Sequence, residues 1–114
     1  SVRDLLTGAQ VVLCTNTGAR DRAFRALPPD HLFDLVVIDE AAQAMEASCW
    51  IALLRGKRAV LAGDHRQLPP VVRSDEAQRI GLGVTLFERL LNLHPHLGTM
   101  LTTQYRMHAS ICGW

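Results

Sequence analysis

The stretch VVIDEAAQA, residues 36–44, decides how the chain is read. Its aliphatic run does not alternate with polar residues, so it suits a strand buried on both faces, as in a parallel sheet. Two adjacent carboxylates, Asp39 and Glu40, end that run, and small residues follow at once. A carboxylate at the mouth of a core is costly to desolvate unless a cation compensates it. A bound metal ion would supply that compensation; an ordinary surface turn is the other reading of the same residues.

Working outward, comparable apolar runs occur at QVVLCT (10–15), LVVID (35–39), RAVLAG (58–63) and TMLTTQ (99–104). Helical spacing falls between them. Ala42, Met45, Cys49 and Leu53 recur at steps of three and four, with Glu46 elsewhere on the wheel. Thr85 and Glu88 have capping-box spacing ahead of a Leu86, Leu90, Leu93 stripe. DRAFRAL (21–27) predicts a short helix stopped by Pro28-Pro29. Residues 63–73 read as a turn-rich connection, and 74–85 as helix or loop. Strand–helix alternation predicts an α/β fold, a parallel sheet of these four runs with flanking helices and right-handed crossovers.

The bulk numbers agree with one small domain or part of a larger one: 114 residues, 48% of them hydrophobic. A net charge of +1 excludes a strongly basic nucleic-acid arm, but not a locally basic groove. Cys14, Cys49 and Cys112 have no zinc-type spacing and read as free thiols, buried or half-buried, in a reducing cytoplasmic or nuclear compartment. The histidines, among them His65, His94, His96 and His108, read as solvated or structural. Trp50, Phe87, Met45 and Met107 read as core rather than base-stacking residues, and Cys14 as a small hydrophobe. No apolar run approaches a membrane span, and no signal peptide opens the chain. The chain begins at Ser1 with what reads as a helix already under way, and stops abruptly at SICGW. Both ends predict a piece of a longer protein.

In open α/β sheets, ligands gather beyond the carboxyl ends of the strands. After the first run comes TNTGA, with Asn16 and Thr17; after the second, Asp39-Glu40. GDHRQLPP follows the third, with Asp64 and Gln67, and QYRMH the fourth, with Arg106. An acidic residue at a strand end can hold magnesium, as the Walker B aspartate does in nucleotide hydrolases. Its neighbour Glu40 is then placed to orient and deprotonate an attacking water. The Gln67 amide can hydrogen-bond a γ-phosphate oxygen, and the planar fork of Arg106 suits developing phosphate charge. A surface salt bridge is the alternative for Arg106, and turn chemistry for Asn16 and Thr17.

VVIDEAAQA, LAGDHRQLPP and LTTQYRMH resemble, in order and spacing, motifs II, III and IV of superfamily 1 helicases, and more narrowly the nonsense-mediated-decay helicase group. The resemblance covers essentially the whole chain. It implies that residues 1–114 belong to the first recA-like ATPase domain, reaching its junction with the second near 99–114. Asp39 would bind the magnesium of Mg-ATP, and Glu40 would be the catalytic base. Gln67 would contact the γ-phosphate and couple hydrolysis to movement, with Asp64 supporting its loop. Arg106 would act as an arginine finger. Asn16 and Thr17 would lie near single-stranded RNA or DNA. The implied activity is ATP-dependent 5′-to-3′ unwinding, with binding mainly through the nucleic-acid backbone; protein partners are left open.

One motif of that family has no counterpart here. The phosphate-cradling G-x-x-x-x-G-K-[ST] loop is absent: Gly56-Lys57 has Ile51 where the first glycine belongs and Arg58 where Ser or Thr belongs. The expectation is that this loop lies upstream of Ser1, that a further arginine motif lies downstream of Trp114, and that the chain alone does not hydrolyse ATP. Two other readings remain. One is a non-catalytic helicase-like module that binds nucleic acid or protein. The other is a magnesium-dependent nuclease using Asp39 and Glu40, which calls for further strand-end carboxylates such as Asp64.

Overall fold

A computed structural model describes residues 1–64, 66 and 73–112. Gln67, His65 and Pro69-Pro70, and with them the expected γ-phosphate amide, lie outside the described residues.

The centre of the fold is a β–α–β unit. Strand β1 (Val36–Ile38) pairs in parallel with β2 (Ala59–Leu61), in the register Val36↔Ala59, Val37↔Val60, Ile38↔Leu61. A bridge between Phe33 and Gly56 extends the pairing backwards. Helix α3 (Glu46–Leu53) connects the two strands. Its first-turn acid, Glu46, suits the positive end of the helix dipole. Helix α5 (Leu86–Leu93) begins at Thr85, whose hydroxyl accepts the Glu88 amide at 3.1 Å. That bond is the N-cap half of the predicted capping box.

Helices α3 and α5 cover one face of the sheet. Ile38 from β1, Cys49 from α3, Leu86 from α5 and Ala41 form the buried cluster, with Val36, Leu53, Leu61, Phe87 and Leu90 packed around it. The predicted apolar faces of both helices therefore point inward, at Cys49 and Leu53 and at Leu86 and Leu90. Leu93, the last residue of the predicted stripe, is exposed.

Helix α1 (Val2–Gly8) is capped at its own first turn: the Ser1 hydroxyl accepts the Asp4 amide at 3.4 Å, and the Asp4 carboxylate accepts from the Ser1 amino group at 3.0 Å and hydroxyl at 2.8 Å. Helix α2 (Arg22–Arg25) is capped by Asp21, which accepts the Ala23 amide at 2.9 Å, and it ends before Pro28 as expected. The 18–25 region is fastened to the end of α3 by Arg55. Its guanidinium donates to the Ala19 and Phe24 carbonyls at 3.2 and 3.4 Å and lies 5.6 Å from the Phe24 ring centroid. The ambiguous 74–85 stretch is largely helical: α4 (Asp75–Ala77) passes into a wider turn over Gln78–Leu82, which Gly81 breaks at φ 99°. Helix α6 (Ala109–Cys112) ends the described chain.

Several expectations are corrected. Residues 10–15 and 99–104 are not strands, so the described sheet has two strands rather than four. A strand exists only where its amides find a ladder, and neither segment joins β1 or β2. Most of their side chains stand in solvent, with Leu13 92% and Leu101 87% exposed. The sheet is also covered on one face only: Val37 and Val60, paired in register, are 61% and 49% exposed. Trp50 is not core. Its indole N–H donates to Glu46 one turn earlier at 3.1 Å, which holds the ring on the outer side of α3. Met45 and Met107 are exposed, the first because it sits at the N-cap of α3 rather than within the helix. Cys14 is an exposed thiol, because the run preceding it is not buried. Cys49 is fully buried, and burial pushes its thiol pKa up.

Candidate functional site

The expected carboxylates stand at the end of β1. Ile38 before them and Ala41 after them are both in the core, so Asp39 and Glu40 form a short exposed arch between two buried anchors. The arch is clamped by one residue of the neighbouring strand end. The Ala62 amide donates to the Ile38 carbonyl at 2.8 Å, and the Ala62 carbonyl accepts the Ala41 amide at 2.8 Å. Within the arch, the Glu40 amide donates to Asp39 Oδ1 at 2.9 Å.

Glu40 itself is left-handed, with φ 54° and ψ 35°, the one non-glycine residue with positive φ among those described. A β-carbon makes this conformation unfavourable, and it persists only where the surroundings over-determine it. Here the surroundings are the Ala62 clamp and the tight turn at Ala41–Gln43. Ala41 and Ala42 are buried against the start of the next loop.

That next loop begins at Gly63-Asp64, two residues past the end of β2 and beside the arch. Asp64 is half-buried; its Oδ1 accepts the Arg66 amide at 3.0 Å and lies 3.6 Å from Arg66 Nε. The parallel pairing thus brings Asp39, Glu40 and Asp64 to neighbouring strand ends, as the order of the segments predicts.

The remaining candidates are not joined to this group by any described contact. Arg106 is exposed on a turn in which the Gln104 amide side chain donates to the Met107 carbonyl at 3.0 Å and accepts the Met107 amide at 2.8 Å. Among the described residues, no ion pair links Arg106 to Asp39 or Glu40. Asn16 is half-buried and Thr17 exposed. They sit where the Thr15 hydroxyl accepts the Gly18 amide at 2.9 Å and starts the turn Gly18–Arg20.

The donor set around Asp39 fits a hard divalent cation in one particular way. Oδ1 is engaged by the Glu40 amide, and Oδ2 accepts no hydrogen bond among the described residues. Among those residues, no three His, Cys, Asp or Glu side chains gather into a metal cage. A magnesium ion held through one or two carboxylates, with waters and substrate phosphates completing its shell, needs no such cage.

Sequence reasoning missed two features. The left-handed turn at Glu40 has no sequence signal, since glutamate carries no preference for that conformation. The close approach at Gly63, where a β-carbon would lie 2.8 Å from the Ala42 amide nitrogen, has one in retrospect: a glycine follows one strand end where an alanine pair follows the other.

A family profile described as an AAA domain matches residues 1–75, and a second with the same description matches 82–114. The chain is 55% identical over 111 residues to the protein named DNA-binding protein SMUBP-2 of Mesocricetus auratus, an alignment covering 96% of this chain and 11% of that protein. It is 40% identical over 110 residues to the Uncharacterized ATP-dependent helicase MJ0104 of Methanocaldococcus jannaschii, covering 96% and 16%. With the ATP-dependent helicase NAM7 of Saccharomyces cerevisiae it shares 42% over 106 residues, covering 92% and 10%. The chain thus spans a small part of the length of each of these relatives, and that part holds the segments carrying Asp39, Glu40, Asp64 and Arg106. With the profile matches and these relatives together, the chain belongs to the AAA domain family of superfamily 1 helicases.

Proposed function

We propose that residues 1–114 form part of the first recA-like domain of an ATP-dependent helicase that moves 5′ to 3′ along single-stranded RNA or DNA, the described sheet being two strands of a larger parallel one. The reading rests on one observation above the others. Two adjacent parallel strands end in Asp39-Glu40 and Gly63-Asp64, and a backbone clamp through Ala62 joins the two ends. Strand ends on one edge of a parallel sheet are where nucleotides bind.

In this reading Asp39 would hold the magnesium that accompanies ATP. Bound there, the ion would neutralise charge developing between the β- and γ-phosphates. Glu40 takes the proton of the attacking water. Held by the Ala62 clamp rather than by side-chain contacts, its carboxylate has no described hydrogen-bond partner to compete with that water. Asp64 holds the start of the loop that carries Gln67, which contacts the γ-phosphate. Arg106 supplies positive charge to the phosphates from the junction near 99–114. Asn16 and Thr17 face the nucleic-acid strand. The 114 residues alone, without a phosphate-cradling loop, do not turn over ATP.

The test is Glu40→Gln in the full-length natural chain that carries these residues. ATP binding should persist while hydrolysis is abolished. Wild-type turnover in that variant would remove Glu40 from the role of base and favour the non-catalytic module.

A further inference from the structure

We infer that Gly63 is a positioning residue for Glu40, setting the arch that carries the carboxylate through the space its missing side chain leaves open. The inference rests on the reading of Glu40 as the base. A β-carbon at position 63 would lie 2.8 Å from the Ala42 amide nitrogen, 3.2 Å from the Ala41 amide nitrogen and 3.2 Å from the Ala42 β-carbon. Two of these three neighbours are backbone. No rotamer change relieves such a contact, so the turn itself must move.

What moves with the turn is the site. Ala41 is tied to Ala62, the residue before Gly63, and Glu40 precedes Ala41 in its left-handed conformation. Pushing Ala41 and Ala42 away from position 63 strains the bond from the Ala41 amide to the Ala62 carbonyl, one side of the clamp on the arch. Asp39 is less exposed to this displacement, because Ile38 is held in the ladder and in the core on its other side. The base should therefore be displaced more than the magnesium ligand. The same contact joins the loop beginning at Asp64 to the Glu40 turn, so any shift of that loop at Gly63 reaches the base directly.

The experiment is a double-mutant cycle in the full-length natural chain, assayed with Mg-ATP and a single-stranded oligonucleotide. Gly63→Ala should lower kcat on the order of 10²-fold, the cost of displacing a catalytic group by about 1 Å, with KM for ATP unchanged. In a Glu40→Gln background, read on the residual hydrolysis measured in single turnover with enzyme in excess, Gly63→Ala should cost nothing more, since a residue acting only through Glu40 has nothing left to position. Equal losses in both backgrounds, or a loss confined to KM, would overturn the inference while leaving Glu40 as the base. Wild-type turnover in Glu40→Gln alone would overturn the underlying reading and the inference with it. Should Gly63→Ala fail to fold, Ala42→Ser crowds the same gap from the opposite wall by one atom. It should show a smaller kcat loss with Glu40 intact that vanishes in the Glu40→Gln background; an undiminished kcat with Glu40 intact, or an equal loss in both backgrounds, refutes the positioning role.

Discussion

Replacing Glu40 with glycine removes the proposed base and relieves its backbone, so stability and activity should move in opposite directions. The informative comparison is Glu40→Gly against Glu40→Ala, because both lose the carboxylate and only glycine loses the β-carbon. Glu40 is exposed, and its side chain makes no described hydrogen bond, so neither change opens a cavity or orphans a partner. The left-handed conformation, φ 54° and ψ 35°, remains imposed by the clamp. There alanine bears a strain of about 1–2 kcal/mol, whereas glycine bears none but loses about 0.5–1 kcal/mol more chain entropy on folding. Glycine should lead by about 0.5–1 kcal/mol, roughly two- to five-fold in the local opening equilibrium. Residue-resolved amide hydrogen exchange in the full-length chain measures that equilibrium where it matters, at the Ala41 and Ala62 amides, both of which are bonded across the clamp. Protection should rise in the order Ala, then Gly, with hydrolysis absent from both. Equal protection, or less in the glycine variant, would show that the arch carries no conformational strain, and the argument from over-determined geometry would fail.

Leu86→Ala empties the centre of the cluster where α5 meets β1 and α3, and should cost about 2–5 kcal/mol in unfolding free energy; a loss below about 1 kcal/mol would mean that α5 does not close this core. The Glu46 carboxylate, which accepts from Arg89 first and Trp50 second, is held below the ordinary glutamate range. A depressed folded pKa contributes stability that is full above the unfolded value and is lost as pH falls through the folded one. The stability advantage of wild type over Glu46→Gln should therefore be constant near neutrality and shrink only in the acid range; an advantage independent of pH would show that the bridge between α3 and α5 contributes no charge-dependent stability. Arg106→Ala should reduce turnover on the order of 10³-fold if it acts as an arginine finger, measured as ATPase rate in the full-length chain; a change under about tenfold would return it to the role of a surface residue.

The parts of this fold legible in the sequence are those where local chemistry and tertiary packing agree. The 36–38 run is a strand because its residues suit extended backbone and Ile38 and Val36 have α3 and α5 to pack against. Residues 10–15 carry the same signal and form none, because nothing described lies alongside them to complete a ladder. Apolar composition states what a segment would bury, not whether a partner is present. Trp50 lies outside the core for a related reason: an indole serves a core or an outer helix face equally well, and the deciding feature is Glu46 one turn away. At the site, the adjacency of Asp39-Glu40 and Gly63-Asp64 could be foreseen from parallel pairing. The conformation of Glu40 could not, because it is imposed from outside by Ala62, Ala41 and Gly63 rather than preferred by the residue itself.

That origin changes where the site should be most vulnerable. The charged residues that would do the chemistry are solvent-exposed and make few contacts, so replacing them alters charge while leaving the packing intact. The uncharged residues Ala41, Ala42, Ala62 and Gly63 make no chemistry of their own, yet they fix the path of the backbone through the arch. Gly63 is itself exposed, but the atoms that obstruct an added methyl group there are main chain, which no side-chain rearrangement can move aside. One added methyl group there should therefore disturb the placement of the base more than a change of shape at the exposed tip of the Glu40 side chain would. A sequence read only for its carboxylates finds the reagents of the site and overlooks the four small residues that hold them in place.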